Sequence, residues 1–347
     1  MLTKEKIIIH NIPDITDVNL QIELLEGLGV SIERIDRHTC SFKAENVDVN
    51  FLSTSSFQQT TGRSRGSVML AGPLLSRFKK AYIPKPGGDK IGHRRLDTHI
   101  LGFKKLGARY DYRTKESFFY LHASRLKGTY ILLDEPSVTG SANLIMASVL
   151  AEGITTLFNC ACEPYIQQLC KMLNRMGADI SGIGSNMLTI KGVQEMQGTE
   201  HHNLPDMIEV GSFIGLAAMT QSDITIKNAG IEHLGVIPLR FQQLGIKMNF
   251  YGDDIHIPSQ KLYELETYLD RSMLTISDHP WPGLTPDLLS IILVVATQAK
   301  GSVLIHQKMF ESRLFFVDKI IEMGARIVLC DPHRAVVVGL GRKFPLR

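Results

Sequence analysis

A chain of 347 residues with 44% hydrophobic residues is long and apolar enough to build two domains or one large barrel. Its 38 Lys and Arg residues nearly balance its 35 Asp and Glu residues, so overall charge gives no reason to expect a nucleic-acid partner. The five cysteines form no CxxC pair and no metal-ligand spacing, the first residues do not resemble a signal peptide, and no apolar run reaches membrane-spanning length. We therefore expect a soluble, cytoplasmic protein with buried thiols, no metal, no cofactor and no membrane contact.

Positive charge is concentrated in one part of the chain. Ten Lys or Arg residues lie between Arg77 and Arg109, against only Asp89 and Asp97. The stretch has few aromatic residues and no nucleic-acid motif, so a small anionic substrate is the better interpretation of this charge.

Five segments, taken in chain order, share one pattern of an amphipathic helix, a glycine turn and a strand. They read IELLEGLGVSIER, ILGFKKLGARYDY, LCKMLNRMGADISG, LRFQQLGIKMNF and VDKIIEMGARIVL. Their turn glycines are Gly29, Gly107, Gly177, Gly245 and Gly324. Glycine suits the left-handed position just past a helix. Its return roughly every 70 residues predicts a repeated supersecondary unit.

Each interval also contains a second, more apolar helix that leads into a strand. Examples are SANLIMASVLAEGITTLFN, GSFIGLAAMTQSDITIKN and DLLSIILVVATQAKGSVLIH. Helices that are apolar nearly all round are buried. The sequence therefore predicts an α/β fold whose units each contain two helices, one inside and one outside, and three or four strands.

A polar segment, GTEHHNLPDMIE, interrupts the repeats near Pro205 and predicts a hinge. We expect a first repeat domain over residues 1–203 and a second over residues 204–347. The first and last units lack an inner helix in this sequence, so we expect a six-unit molecule whose outer units are incomplete.

Several strings together resemble the UDP-N-acetylglucosamine 1-carboxyvinyltransferase family over nearly the whole chain. They are SRGSVMLAGPLLSRF, PGGDKIGHRRLDTHILGFKKLGA, GSANLIMASVLAEGITT, PDMIEVGSFIGLAA and FESRLFFVDKIIEMGA, of which the PGGDKIG loop is the most specific. The resemblance implies two inside-out α/β domains of three repeats each. It also implies transfer of the enolpyruvyl group of phosphoenolpyruvate to the 3-hydroxyl of UDP-N-acetylglucosamine, the first committed step of peptidoglycan synthesis, by a protein that is a monomer when full length.

The resemblance assigns the catalytic residues. Asp89 stands where the family usually has a cysteine that donates a proton to phosphoenolpyruvate, and the flanking glycines would let the loop close over substrate. Asp287 matches the aspartate that binds the sugar 3-hydroxyl and is the candidate general base. Arg94 matches an arginine that contacts phosphoenolpyruvate, and Arg65 matches another substrate-binding arginine. A guanidinium is well suited to carboxylate and phosphate groups.

The resemblance also implies residues that line the uridine pocket, hold the diphosphate and close on the sugar: Arg95, Leu96, Asp97, Thr98, His99, Ser137, Val138, Thr139 and Met309. Some of these residues have a purely structural alternative. Ser137 or Thr139 would cap a helix, and Met309 would pack in a core. The loop acid Asp89 would likewise form a surface salt bridge.

Some positions depart from the family pattern. Thr139 replaces a frequent glycine, Glu135 replaces a frequent cation, and Arg95-Leu96 replaces Pro-Val. The family's Lys-Asn pair and two further arginines fall outside this sequence.

The alternative function is therefore a catalytically inactive UDP-sugar-binding relative with a sensing or scaffolding role. The sister shikimate-pathway transferase shares the implied fold but lacks the PGGDKIG loop.

Overall fold

The structure, a computed structural model, describes residues 1–84, 95–113, 118–310 and 313–341. These residues group into two units, of which the first ends at Leu204 and the second begins at Pro205. Each unit has its own core of buried aliphatic and aromatic side chains.

The first unit contains six α-helices, eleven strands and two 3₁₀ helices within the described ranges. Its helices are α1 (Thr16–Gly27), α2 (Ser55–Thr61), α3 (Ala71–Phe78), α4 (Asp97–Lys105), α5 (Val138–Ser148) and α6 (Pro164–Arg175), and its 3₁₀ helices span Val49–Ser53 and Arg65–Leu70. Its strands are β1 (Lys6–His10), β2 (Ser31–Asp36), β3 (Thr39–Lys43), β4 (Lys80–Pro84), β5 (Arg109–Arg113), β6 (Phe118–His122), β7 (Tyr130–Leu132), β8 (Ile154–Phe158), β9 (Asp179–Ser181), β10 (Met187–Lys191) and β11 (Thr199–His202).

The second unit repeats the same kinds of element. Its helices are α7 (Met207–Thr220), α8 (Ile237–Gln243), α9 (Pro286–Ala296) and α10 (Val317–Glu322), with a 3₁₀ helix at Ile231–His233. Its strands are β12 (Ile224–Ile226), β13 (Asn249–Tyr251), β14 (Asp254–Ile257), β15 (Leu274–Ser277), β16 (Lys300–His306), β17 (Arg326–Asp331) and β18 (Arg334–Leu340). None of the helices described in either unit is long and apolar enough to cross a membrane.

One sheet topology recurs through the chain, which confirms the predicted repeat. The sheets β7-β8-β10-β9 and β15-β16-β18-β17 have the same order. In each, the first two strands are parallel, the buried helix between them (α5 or α9) connects them, and an outer helix and an antiparallel hairpin follow. The sheet β11-β1-β3-β2 has the same order, and β4-β6-β5 and β12-β14-β13 are three-stranded versions.

The predicted glycine turns are confirmed at all five positions. Gly29, Gly107, Gly177, Gly245 and Gly324 have φ values of 84°, 99°, 99°, 85° and 101°. This is the left-handed conformation that a side chain disfavours. Each glycine ends an outer helix and turns the chain into the hairpin of its sheet.

The inner helices are buried as predicted, and small residues let them approach closely. Six side chains of α9 are buried, and in α5 the run from Gly140 to Ile145 is buried. Gly72 of α3 lies so close to α5 that a Cβ atom there would stand 2.4 Å from the Asn143 carbonyl oxygen. At this contact α3 packs directly against α5.

The polar segment near Pro205 contains strand β11, which pairs in parallel with β1 and places His201 and His202 in a sheet. Because the partner strand lies about 190 residues away in sequence, no local pattern could predict the pairing.

The expectation of buried thiols is wrong at two positions. Cys40, Cys160 and Cys170 are buried, but Cys162 is half-buried and Cys330 is exposed on β17.

Two turn glycines of the first unit provide a matched test of the space around the turn. A Cβ atom at Gly177 would meet nothing within 4 Å, whereas one at Gly29 would stand 2.6 Å from the backbone oxygen of Asn46. We expect Gly177→Ala to lower the free energy of unfolding by about 1 kcal/mol, the cost of the left-handed backbone alone. Gly29→Ala should cost clearly more. Urea unfolding followed by circular dichroism measures both, and equal losses would contradict this account.

Candidate functional site

The two groups of predicted site residues occupy the same place in their repeats. In the first unit, β7 and β8 run parallel and α5 begins at their carboxyl ends. In the second unit, β15 and β16 run parallel and α9 begins at theirs. The carboxyl ends of parallel strands, beside a helix N-terminus, are the usual binding place in sheets of this kind.

In the first unit, a buried hydroxyl joins the start of α4 to the loop after β7. Thr98 is 6% exposed, and its Oγ1 donates to Asp134 Oδ1 at 2.7 Å, with Glu135 Oε1 at 3.5 Å. The structure thus brings the predicted residues of the Arg95–His99 segment against those that precede α5. Arg95 and Asp97 are exposed there, and Leu96 is half-buried.

His99 is the most deeply buried of the predicted residues in this group. Its side chain is 1% exposed and lies between α5 residues, with Nδ1 3.0 Å from Asn143 Nδ2 and Nε2 3.2 Å from Thr139 Oγ1. Burial, and secondarily the positive charge of Arg65, lower the pKa of His99 from 6.5 to about 4. The imidazole is therefore neutral at neutral pH.

The amide of Asn143 is a site feature that sequence reasoning missed. Gly72 N donates to Asn143 Oδ1 at 2.8 Å, and Asn143 Nδ2 donates to Val68 O at 2.9 Å. One fully buried side chain thus connects α3, the 3₁₀ helix Arg65–Leu70, α4 and α5. A polar residue inside the otherwise apolar string SANLIMAS is the signal that could have identified it.

Arg65 begins the 3₁₀ helix that Asn143 holds. Ser64 Oγ accepts from Gly66 N at 3.2 Å and caps this helix. The guanidinium of Arg65 donates weakly to the Arg95 carbonyl oxygen at 3.4 Å. Arg65 therefore lies beside the start of α4, in the same group as His99.

Ser137 caps α5. Its Oγ accepts from Gly140 N at 3.2 Å, so the structural alternative for Ser137 holds. The N–H groups of Val138 and Thr139 have no acceptor among the described residues. The first turn of α5 therefore presents two backbone donors and the positive end of the helix dipole, an arrangement suited to an anion.

A cavity of about 430 Å³ lies between α4 and strand β7 with the residues that follow it. Leu101, Leu132 and Leu133 give it apolar walls, Thr98 and Asp134 lie at one side, and Lys104 and Lys105 contribute positive charge. Its size falls in the range of small-molecule pockets. The cavity can take a small ring with an attached anionic group near the lysines.

In the second unit, Asp287 lies in the first turn of α9, after Pro286. It is half-exposed, and its Oδ1 accepts a hydrogen bond from the guanidinium of Arg313. Arg313 in turn lies 5.0 Å from the ring centre of Phe310. Arg313 was not among the predicted site residues, although its motif FESR was recognised, and it fixes the direction of the Asp287 carboxylate.

A buried carboxylate holds the backbone of the predicted residue Met309. Asp278 is 0% exposed and follows β15 directly. It accepts from Lys308 N at 2.5 Å, from Met309 N at 3.1 Å and from Gln307 Nε2 at 3.3 Å. Asp278 thereby fixes the segment after β16. An acid directly after a buried strand was the available signal, and sequence reasoning missed it.

Two predicted residues, Asp89 and Arg94, lie outside the described residues. Within the described ranges, no group of three or more His, Cys, Asp or Glu side chains is arranged to hold a metal ion.

Comparisons with known proteins agree with this architecture. The family described as EPSP synthase (3-phosphoshikimate 1-carboxyvinyltransferase) matches residues 1–335. A protein of Bacteroides thetaiotaomicron named UDP-N-acetylglucosamine 1-carboxyvinyltransferase is 62% identical over 347 residues, which are 100% of this chain and 80% of that protein. Proteins with the same name from Porphyromonas gingivalis (60% identical, 100% and 80% covered) and Treponema denticola (48% identical, 98% and 78% covered) are also similar.

Solved structures share the fold. The enolpyruvyl transferase NikO from Streptomyces tendae superposes with a TM-score of 0.82 at 19% identity, covering 98% of this chain and 77% of that one. EPSP synthase from Acinetobacter baumannii superposes with a TM-score of 0.70 at 16% identity, covering 98% and 78%. The expected fold class is thus confirmed.

The lowered pKa of His99 predicts a pH dependence of stability. The unfolded chain binds a proton on this residue as pH falls below 6.5, whereas the folded protein binds it only near pH 4. Stability is therefore lost as pH falls through this window. From pH 7 to pH 5, the wild type should lose about 2 kcal/mol more than His99→Gln. Urea unfolding at both pH values measures this difference, and parallel losses would show that His99 titrates normally.

The Asp278 carboxylate accepts three hydrogen bonds, so its removal should strongly lower the free energy of unfolding. Asp278→Ala leaves the N–H groups of Lys308 and Met309 without their acceptor and should destabilise the second unit by about 3 kcal/mol. Fluorescence of Trp281, the only tryptophan, reports unfolding of this unit. The control Asp318→Ala removes an exposed acid of α10 and should cost a few tenths of a kcal/mol. Similar losses in both variants would refute the anchoring role.

Proposed function

We propose that this chain transfers the enolpyruvyl group of phosphoenolpyruvate to the 3-hydroxyl of UDP-N-acetylglucosamine. The chain belongs to the UDP-N-acetylglucosamine 1-carboxyvinyltransferase family. The observation that carries the proposal for the nucleotide is the first turn of α5. There, two backbone donors without an acceptor in the described ranges lie beside the buried Thr98 and His99.

The diphosphate of the nucleotide would bind at this turn. The N–H groups of Val138 and Thr139 donate to phosphate oxygens, and the helix dipole favours the negative charge. The cavity beside Thr98 would accept the uracil and ribose, with its leucines against the ring and its lysines near the anionic end. Arg95, Leu96 and Asp97 would complete this pocket at the start of α4.

The sugar would be recognised by the second group of residues. Asp287 would accept a hydrogen bond from the 3-hydroxyl and remove its proton as that oxygen attacks. Arg313 holds the carboxylate in one direction, which supports a fixed position for the base. The backbone at Met309, anchored by Asp278, would close on the nucleotide sugar.

Arg94 would bind the carboxylate and phosphate of phosphoenolpyruvate, and Arg65 would be a further substrate-binding arginine. A proton passes from Asp89 to the methylene carbon, the sugar oxygen bonds to the neighbouring carbon, and a tetrahedral phosphate adduct results. Loss of a proton from the new methyl group and departure of phosphate then restore the double bond. Free aspartate has a pKa near ~4, so the anionic substrate must raise the pKa of Asp89 before it can donate.

The proposal includes the setting of the reaction. Residues 1–203 would form the domain that carries the catalytic loop, and residues 204–347 would form the second domain. The enzyme would act in the cytoplasm, as a monomer, on two small molecules without a cofactor. Its product would enter peptidoglycan synthesis and hence serve cell wall biogenesis, cell shape and cell division.

Phosphate release and calorimetry together test the proposal. We expect UDP-N-acetylglucosamine to bind, and phosphate to appear only when both substrates are present. Asp89→Ala and Asp287→Asn should each lower turnover by at least about a hundredfold, the usual contribution of a general acid or base. Asp89→Ala should retain binding of the sugar nucleotide.

The control is Asp179→Asn, which changes an exposed carboxylate on β9 and should leave turnover unaltered. If the folded wild type bound the sugar nucleotide but released no phosphate, the chain would be the inactive UDP-sugar-binding relative instead. If it bound no sugar nucleotide, both functions would be wrong.

A further inference from the structure

We propose that Asn143 sets the tautomer of His99, and that His99 thereby makes the Thr139 hydroxyl a hydrogen-bond donor to the diphosphate of the bound nucleotide. This role rests on the proposed function. It assigns Asn143 and His99 as positioning residues that act through Thr139.

The first step concerns the orientation of the Asn143 amide. Its oxygen faces the N–H of Gly72 at 2.8 Å, and its nitrogen faces the carbonyl oxygen of Val68 at 2.9 Å. A backbone N–H can only donate and a carbonyl oxygen can only accept. The reversed amide would oppose donor to donor and acceptor to acceptor, so the backbone leaves one orientation.

The second step concerns the imidazole of His99. One proton of the Asn143 amide nitrogen goes to Val68, and the other points to His99 Nδ1 at 3.0 Å. Nδ1 must therefore accept, and it carries no proton. A neutral imidazole with a bare Nδ1 has its proton on Nε2. The fully buried position and the nearby charge of Arg65 support this neutral form.

The third step concerns Thr139. His99 Nε2–H donates to Thr139 Oγ1 at 3.2 Å. The hydroxyl oxygen is thus an acceptor in this contact, and the hydroxyl proton remains available for another acceptor. Within the described ranges, no second hydrogen bond of the Thr139 hydroxyl occurs.

The direction of that proton follows from the place of Thr139 in α5. It is the second residue of the helix, is half-buried, and shares its turn with the N–H groups of Val138 and Thr139 that lack acceptors in the described structure. A phosphate oxygen bound to these N–H groups lies within reach of the hydroxyl. Unprotonated phosphate oxygens only accept hydrogen bonds, so a Thr139 hydroxyl whose proton is available can donate to them. A Thr139 hydroxyl that donated its proton to His99 could not.

Removal of the hydroxyl tests the last step. Thr139→Val has nearly the same shape, and we expect it to weaken UDP binding about tenfold, because a hydrogen bond to a charged group is lost. Uridine binding should change less than twofold, because uridine has no phosphate. Calorimetry with both ligands measures the split. Equal loss for both would show that the variant only disturbs packing and would overturn the proposal.

Two matched variants control for the substitution itself. Thr139→Ser keeps the hydroxyl and should recover most of the UDP affinity. Thr156→Val makes the same change on β8, away from the start of α5, and should bind UDP as the wild type does. Weak UDP binding by Thr139→Ser, or unchanged UDP binding by Thr139→Val, would contradict the proposal.

The tautomer is tested directly in the unaltered protein. A long-range proton–nitrogen spectrum of protein with ¹⁵N-labelled histidine should show His99 at neutral pH with its proton on Nε2. A proton on Nδ1, or on both nitrogens, would overturn the proposal. Asn143→Ala should mix the tautomers and weaken UDP binding, and its effect should be less than additive with Thr139→Val. Retention of the single Nε2–H form in Asn143→Ala would refute the role of the amide.

These outcomes separate the present inference from the function on which it rests. If the folded wild type bound neither UDP nor UDP-N-acetylglucosamine, the proposed function would be wrong. If UDP bound the wild type and Thr139→Val equally, the function would stand and the donor role of Thr139 would fall.

Discussion

The parallel pairing of two strands across a buried helix is the constraint on which each candidate group of residues depends. In the pairs β7–β8 and β15–β16, the helix must return the chain to the starting edge of the sheet, so its N-terminus lies where both strands end. The residues that follow the strands and those that open the helix then meet, although they are far apart in sequence. This geometry brings Asp134 to the start of α5, and Asp278 and Asp287 to the same edge in the second unit.

Buried polar groups convert this general arrangement into fixed positions. A buried amide or carboxylate without partners costs several kcal/mol in an apolar environment, so it is stable only where backbone groups satisfy it. Asn143 meets this condition with Gly72, Val68 and His99, and Asp278 meets it with Gln307, Lys308 and Met309. Each therefore acts as a geometric constraint, because movement of any partner leaves a buried donor or acceptor unpaired.

Local periodicity made much of the fold predictable. The five turn glycines and the apolar inner helices follow rules that operate within a few residues, and the structure has them where the sequence indicated. The pairing of β1 with β11 obeys no such rule, because Ile7 and Thr199 meet only after the chain has passed through the whole first unit. No local pattern therefore indicated a strand at Thr199–His202.

The candidate site was predictable to a similar extent. Residues in family motifs, such as Thr98, His99 and Asp287, were identified from the sequence and lie at the strand ends. Asn143 and Asp278 were missed because most of their partners are backbone atoms, which no side-chain motif encodes. For Asn143 these partners lie 71 and 75 residues away. Such residues are recognisable only as polar exceptions in apolar strings.

The electrostatics of the first group would make a neutral histidine useful beside the anion that we propose binds there. A protonated His99 would add a positive charge, but both ring nitrogens would then donate, and Nδ1–H would oppose the amide protons of Asn143. Burial and the charge of Arg65 exclude that state near neutral pH. Positive charge is instead left to Arg65 and to the end of α5, while His99 contributes direction. Charge attracts an anion from any side, whereas an oriented donor selects one position for its oxygen. Transfer to a single hydroxyl of a sugar requires that second kind of control, because the nucleotide must be held in one register before the reacting carbon and oxygen can meet.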